Sequence, residues 1–487
     1  MMTGPNPTAR RAAMFRGLAR TAGLAALVVA CSTDQILDVQ DIDVARPGSI
    51  TGAAALPAAL NGAIGTFGSA YDGANTDVNQ ISLSGMISDE FINTETFPTR
   101  IEIDQRNQNY QTNGSLSGLF YETQRARQSA DFAAQGYAQF DATNVGFAEA
   151  LNISALTIIM MAENYCGDVP LSGTDASGAF VYSPGLTTKQ LLDVAIRKAD
   201  SAFTIASAVN ANGTQTRLAR LVKARALLDE NDPVAAAAAI GGTAGVPTTF
   251  QYNYIHSETS GRQNNGTWSL VQNSGRYGVA NNEGGVGLPF QPDGDISKSV
   301  KDPRVINQLR PTNGGKGFDG STTMYWQLKY PVRSAPVIVA DGVEARLIEA
   351  EAQLRQNNYA GMRAILVALN SDATVAALPG RAFTTPVPAP ANLTGGTTAQ
   401  QEDQLFKERA YWLYLTSHRL GDLRRLARPV TAPAGELSGY GRPINSVFPN
   451  GTYFKAGTYG TDVSSPIPQA EDNNPNFDRS TCDLTKP

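Results

Sequence analysis

The chain has 487 residues, 42% of them apolar, with 39 basic and 44 acidic residues and a net charge of −5. That length suits two or three average domains or one large helical body, and the apolar share is far from the composition of a disordered chain. The near-balanced charge offers no clustered basic surface for a phosphate backbone, so no nucleic-acid partner is expected.

In chain order, residues 1–30 read as an export signal. Arg10, Arg11, Arg16 and Arg20 precede the short apolar run Leu24–Ala30, and no acid occurs before Asp34. Cys31 follows Val28, Val29 and Ala30 directly, in the pattern of a bacterial lipobox. Cys31 is therefore expected to be lipidated and to become the first residue of the mature chain, residues 31–487. The run is too short to span a bilayer, which takes roughly 20 residues. No second stretch is read as approaching that length, so the lipid is the expected anchor. Met1, Met2 and Met14 all remain open as start codons.

The rest of the chain reads as mainly α. Residues from about Thr51 to Phe67, from Ser115 to Phe140 and from 145 to 164 are helix-like, the last ending in a turn at Gly167 and Pro170. Leu218, Leu221, Ala224 and Leu228 share one helix face. The chain breaks at Asn231, and Asp232-Pro233 restarts a helix as N-cap and first-turn proline. Asp341 and Glu344 have capping-box spacing, and Val343, Leu347, Ala350 and Leu354 follow on one face. A turn at Gln356–Asn358 leads to a return helix carrying Met362, Ile365, Leu366 and Leu369. Gln401 to Leu415 and Arg419 to Ala427 read as a third pair, with Asp422 and Arg425 spaced for an intramolecular ion pair. Residues 379–400 read as a surface loop. These Ala-rich hairpins resemble tetratricopeptide pairs, as degenerate repeats without a constant period.

Residues 242–336 differ in kind. Asn264-Asn265-Gly266, Gly284-Gly285 and Asn313-Gly314-Gly315 are turn formers, and the segment holds Trp268 and Trp326, two of only three tryptophans. Sugar rings present apolar C–H faces, and flat aromatic side chains supply contact area at low entropy cost. Trp268, Tyr277, Tyr325 and Trp326 lie in polar, turn-rich sequence and are the expected ligand contacts, with loop packing as the competing role.

No catalytic residue is assigned. His256 and His418 are the only histidines, too few for a histidine-rich metal site, and no metal or cofactor is expected. His418 is expected to be structural. Asp89-Glu90 is the best acidic pair, but adjacent residues point apart, so a cap or surface role is expected. Gly284–Gly287 lacks the strand-turn-helix context of a phosphate loop. Cys166 and Cys482 would pair in an oxidising compartment only if the fold brings them together, which spacing alone leaves open.

Six stretches in order carry a family resemblance: Ile36–Val39 (ILDV), Ala162–Leu171 (AENYCGDVPL), Lys301–Arg304 (KDPR), the hairpin at Glu344–Met362, Glu408-Arg409 with Arg419, Asp422, Leu423 and Arg425, and Pro466–Phe477 (PIPQAEDNNPNF). Together they resemble the SusD/RagB family of outer-membrane nutrient-binding lipoproteins, nearly end to end. The chain departs at Trp412 and at Thr416-Ser417, where the family often has Glu and Glu-Gly. The resemblance implies one body of tetratricopeptide-like helix pairs with long irregular ligand-facing loops. It also implies a place on the outer membrane beside a SusC-like TonB-dependent transporter, capture of an oligosaccharide or peptide, and no chemistry. The competing reading is a tetratricopeptide-like scaffold lipoprotein that binds other proteins in the envelope. The long aromatic, Asn-rich insert favours capture.

Overall fold

The computed structural model of the protein describes residues 50–73, 77–175, 179–283, 287–291, 302–381 and 386–487. The export signal, Cys31, the 36–39 stretch, Gly284 and Lys301 lie outside the described residues.

The fold is mainly α. Helix α1 (Leu56–Asp72) is followed by α2 (Gln80–Ser88), α3 (Pro98–Asp104), α4 (Gly114–Phe140) and α5 (Val145–Asn164). Then come α6 (Thr188–Val209), α7 (Thr214–Asp229) and α8 (Pro233–Ile240), and after the insert α9 (Gly342–Arg355), α10 (Tyr359–Ser371), α11 (Thr398–Trp412) and α12 (Arg419–Ala427). From α4 to α8, and again from α9 to α10, each helix packs on its neighbours in the chain, the nearest-neighbour logic of a solenoid, and α1 lies against α4. Small residues set the spacing: Ala195, Ala199, Ala202 and Ala206 form one buried stripe along α6, which lets its neighbours approach closely.

Local signals place most helix ends. Asp232 accepts a hydrogen bond from the Ala235 N–H (3.0 Å) with Pro233 at the first position of α8, and Asn231 takes the left-handed turn conformation (φ 66°). Asp341 caps α9 through the Glu344 N–H (2.9 Å). The expected capping box is only half made, because the Glu344 carboxylate is drawn to the buried Arg225 of α7, with both contacts at 2.7 Å. A buried carboxylate gains more from a guanidinium than from one backbone N–H.

Helix α11 runs 398–412 rather than 401–415. Leu415 and Ser417 instead adopt left-handed backbone (φ 51° and 69°). The backbone there is engaged by buried side chains: the Tyr330 and Tyr71 hydroxyls donate to the carbonyls of Leu415 and Thr416 (2.9 Å each), and the Leu415 N–H donates to Glu90 (3.1 Å). Helix α5 also corrects a sequence expectation. It is long and apolar enough to cross a membrane, but 83% of its most apolar window is buried within the protein, which makes it the central core helix.

Cys166, just past α5, is disulfide-bonded to Cys482 with Cα atoms 5.1 Å apart. Asp422 accepts both Arg409 (2.8 Å, twice) and Arg425 (2.7 Å), so the expected ion pair is present and buried. His418 is buried 3.2 Å from Glu344, the carboxylate that also accepts Arg225.

The insert is built of two-stranded ribbons rather than plain loop. Strand β1 (Phe91–Asn93) pairs antiparallel with β3 (Tyr277–Val279), β2 (Gln251–Tyr254) with β6 (Val337–Asp341), and β4 (Asn307–Leu309) with β5 (Tyr325–Gln327). The β2–β6 ribbon closes the two ends of the insert onto α1. Gly68 is required there, since a Cβ would fall 1.8 Å from the Tyr254 ring.

Candidate ligand-binding site

The four aromatics expected at the site do not gather into one platform. Tyr277 is 0% exposed, packs on Phe91 (ring centroids 6.3 Å apart) and donates its hydroxyl to the Asp77 carbonyl. With no ring face open it is a packing residue, and the expectation of a contact at Tyr277 is corrected. Tyr325 and Trp326 are neighbours on β5 and so point to opposite faces. Both are half-buried against the core. Trp268, also half-buried, lies on the short turn 266–268 with the Arg333 guanidinium 5.5 Å from its ring.

Other aromatics are exposed where three segments are stitched together. The Thr94 N–H donates to the Arg276 carbonyl (2.8 Å), extending the β1–β3 ladder by one residue. The Phe318 N–H donates to the Gly275 carbonyl (2.8 Å) and the Asp319 N–H to the Thr94 carbonyl (3.0 Å). The 318 hairpin can lie this close only because residue 317 is glycine, whose Cβ would fall 2.3 Å from the Thr94 Cβ. These bonds bring Phe97, Arg276 and Phe318 together. Phe97 precedes Pro98, the first residue of α3, and is 42% exposed; Phe318 is 51% exposed. Their ring centroids are 6.4 Å apart. The Arg276 guanidinium carbon lies 5.1 Å from one ring and 5.2 Å from the other, and Arg100 lies 4.3 Å from Phe97. Behind the rings, Glu95 is fully buried and accepts Arg100 and Arg276 (2.6 Å to the latter).

This aromatic shelf abuts a cleft of about 600 Å³, whose lining includes Asp89, Asn281, Thr322, Thr323, Phe454 and Tyr459. Asp319 and Lys455 join the two features. Lys455 donates to Asp319 (2.8 Å), and Phe454, 43% exposed, borders the cleft. Burial alone would raise the Asp319 carboxyl, but hydrogen bonds from Lys455 and Thr322 hold it well below the usual carboxylate range.

Asp89 ends α2 in left-handed backbone (φ 59°). This cap role matches expectation, whereas the surface role does not, since Asp89 and Glu90 are both buried. Tyr459 donates to Asp89 (3.0 Å), and burial together with the Asp89 charge pushes its hydroxyl far above the ordinary phenol range, so it remains a donor. Below it Tyr453 donates to Asp104 (2.6 Å), whose carboxyl is pushed up to about 7 by burial. The site thus offers apolar ring faces beside fixed amide, hydroxyl and carboxylate groups, which is what a polyhydroxylated ring requires.

A second hollow of about 560 Å³ lies between α11 and the segment 388–393. Its floor is less available: Arg304 is committed to Asp302 (2.8 and 2.6 Å) and to Glu408, and the Tyr411 ring is buried.

A sequence signal for Phe318 exists, as an aromatic between glycine turns (GKGFDG) in the same polar setting as the tryptophans and tyrosines of the insert. Phe97 and Phe454 lie outside the insert, and nothing local separates them from core phenylalanines.

The sequence matches no family model and no curated protein. Solved structures share its fold. A SusD-like carbohydrate binding protein from Bacteroides fragilis is 14% identical with a TM-score of 0.59, covering 89% of this chain and 99% of its own. A SusD superfamily protein from Parabacteroides distasonis is 13% identical with a TM-score of 0.58, covering 87% and 98%. A laminarin binding SusD-like protein is 15% identical with a TM-score of 0.52, covering 88% and 99%. The chain therefore has the fold of the SusD/RagB family, a body of packed helices carrying irregular loops.

Proposed function

We propose that this protein is a lipid-anchored outer-membrane lipoprotein of the SusD/RagB kind. It captures glycans at the cell surface and delivers them to a partner TonB-dependent transporter, without chemistry of its own. The observation that carries the reading is the exposed Phe97–Phe318 pair beside a polar cleft. Two similar structures are of proteins described as binding carbohydrate or laminarin. The lipobox at Cys31 and the Cys166–Cys482 disulfide support export to an oxidising compartment. Trp268, Tyr325 and Trp326 stand as secondary candidates for contacts at the border of the insert.

Calorimetry against a panel of oligosaccharides and peptides tests the reading. Phe97→Ala and Phe318→Ala should each weaken glycan binding by roughly thirtyfold, the effect of truncating an anchor worth about 2 kcal/mol, with Tm unchanged. Phe180→Ala, an exposed aromatic on a separate hairpin, is the control. Normal binding by both shelf variants would place the site elsewhere, and binding to peptides alone would replace the glycan. Co-purification with a TonB-dependent barrel tests delivery, and a purely envelope-protein interactome would favour the scaffold reading.

A further inference from the structure

The shelf carries more positive charge than its own packing uses. Arg276 fixes one end of its guanidinium on Glu95 (2.6 Å), a carboxylate it shares with Arg100. Its Nε and Nη2 have no protein acceptor among the described residues, and the side chain is 24% exposed between two exposed rings. Two further cations stand at the rim without a carboxylate partner among the described residues. Arg310 lies against Gly275, the residue before Arg276, and donates to the Lys316 carbonyl (2.8 Å) and to Thr312 (3.1 Å). The Lys316 ammonium donates to the Thr323 hydroxyl (3.0 Å), on the wall of the cleft.

The nearby carboxylates are already engaged. Glu95 is buried, Asp319 is tied to Lys455 and Thr322, Asp89 accepts Tyr459, and the exposed Asp77 is held by Arg100 at 2.8 Å. A chain of net charge −5 thus gathers three cations with unused donors around this exposed aromatic pair.

We infer that the shelf selects an anionic glycan, with Arg276 as the residue that reads the acid group. The inference rests on the glycan reading above and narrows its ligand class. A pyranuronate projects its carboxylate from C5 at the ring edge. When such a ring stacks on Phe318, the acid group lies where the guanidinium edge is, and a planar guanidinium meets a carboxylate through two parallel hydrogen bonds. A sulfate ester presents the same acceptor chemistry.

Calorimetry with tetragalacturonate, a heparin-derived tetrasaccharide and laminarihexaose separates these possibilities. At least one acidic probe should bind roughly tenfold to a hundredfold more tightly than laminarihexaose, the range of one or two charged hydrogen bonds, and that advantage should shrink at high ionic strength. The acidic probe that binds identifies carboxylate or sulfate as the source. Arg276→Gln should abolish the advantage, lowering affinity for the acidic probe roughly tenfold more than affinity for laminarihexaose. Because Arg276 also touches Glu95, the double variant R310Q/K316Q, which removes no ion pair, should reduce both the acidic affinity and its salt dependence even if R276Q lowers Tm. Equal or tighter binding of laminarihexaose, or an acidic preference that survives both variants, overturns the inference and leaves glycan capture standing. Failure of every oligosaccharide to bind the wild-type protein overturns the capture reading itself.

Discussion

Asp104 is the residue whose chemistry is set most plainly by its surroundings. One carboxylate oxygen accepts Tyr453 (2.6 Å) and the Asn93 N–H (3.0 Å), while the other is buried with no partner among the described residues. Burial pushes its pKa up to about 7, and the Tyr453 and Asn93 bonds offset only part of that. The native state therefore binds this proton more tightly than the unfolded chain, where the pKa is about 3.9. Its contribution to stability is complete below that value and is lost as pH rises through about 7. Asp104→Asn cannot titrate. The Tm of the variant minus that of wild type should rise by a few degrees between about pH 4 and pH 7 and then level off. A difference that is flat with pH would mean that Asp104 is ionised throughout. Arg276 and Phe318 belong to the same scale: their exposure, rather than their identity, is what makes them the proposed binding groups.

At the scale of elements, the ribbons position the site and the helices hold the ribbons. The β1–β3 ladder aligns Arg276 with the chain entering α3, and the 318 hairpin closes over both. Gly317 is the tightest point of that arrangement. Gly317→Ala would drive a Cβ into Thr94, and overpacking of this kind costs about 1–3 kcal/mol. We expect the hairpin to shift, glycan affinity to fall about as far as in Phe318→Ala, and far-UV circular dichroism to stay unchanged. Wild-type affinity in this variant would show that the position of Phe318 does not matter. Among the helices, the buried Arg225–Glu344 pair joins α7 to α9, and Asp422 gathers Arg409 of α11 and Arg425 of its own helix. Such pairs are weak sources of net stability, but removing one partner leaves a buried charge and costs about 3–5 kcal/mol.

At the scale of the molecule, the C-terminal segment returns to the middle of the chain. The Cys166 N–H donates to the Ser465 carbonyl (3.2 Å), the Ser465 N–H donates to the Asn164 carbonyl (2.6 Å), and the Cys166–Cys482 disulfide spans 316 residues of sequence. Cys166→Ser with Cys482→Ser should lower stability by about 2–5 kcal/mol. Hydrogen exchange should rise first in residues after 465, since the paired backbone near Asn164 still holds the earlier part. Unchanged exchange and Tm would assign the tail's order to its backbone contacts alone. The same segment carries Phe454, Lys455 and Tyr459, so the chain end that closes the fold also completes the cleft.

The sequence by itself determined the mainly α class, the limits of α4, α5 and α12 and the caps at Asp232 and Asp341, because helix periodicity, proline starts and N-caps act over a few residues, whereas α2, α3 and α6 went unread and α1 and α11 are displaced by a few residues. It also placed the Asp422–Arg425 pair, whose spacing puts both side chains on one helix face. Only the tertiary structure decided which aromatics are exposed. Tyr277 and Phe318 lie in equally polar, glycine-rich sequence, but β-pairing draws Tyr277 into the core and the close fit of Gly317 on Thr94 holds Phe318 at the surface. The same was true of Glu344, which gave up its expected local bond for Arg225 of α7. It was true also of the cysteines, whose pairing depends on a chain return that no local pattern records. Exposure and long-range pairing arise from contacts between segments far apart in the chain, and the shelf unites residues 97, 276 and 318 in that way.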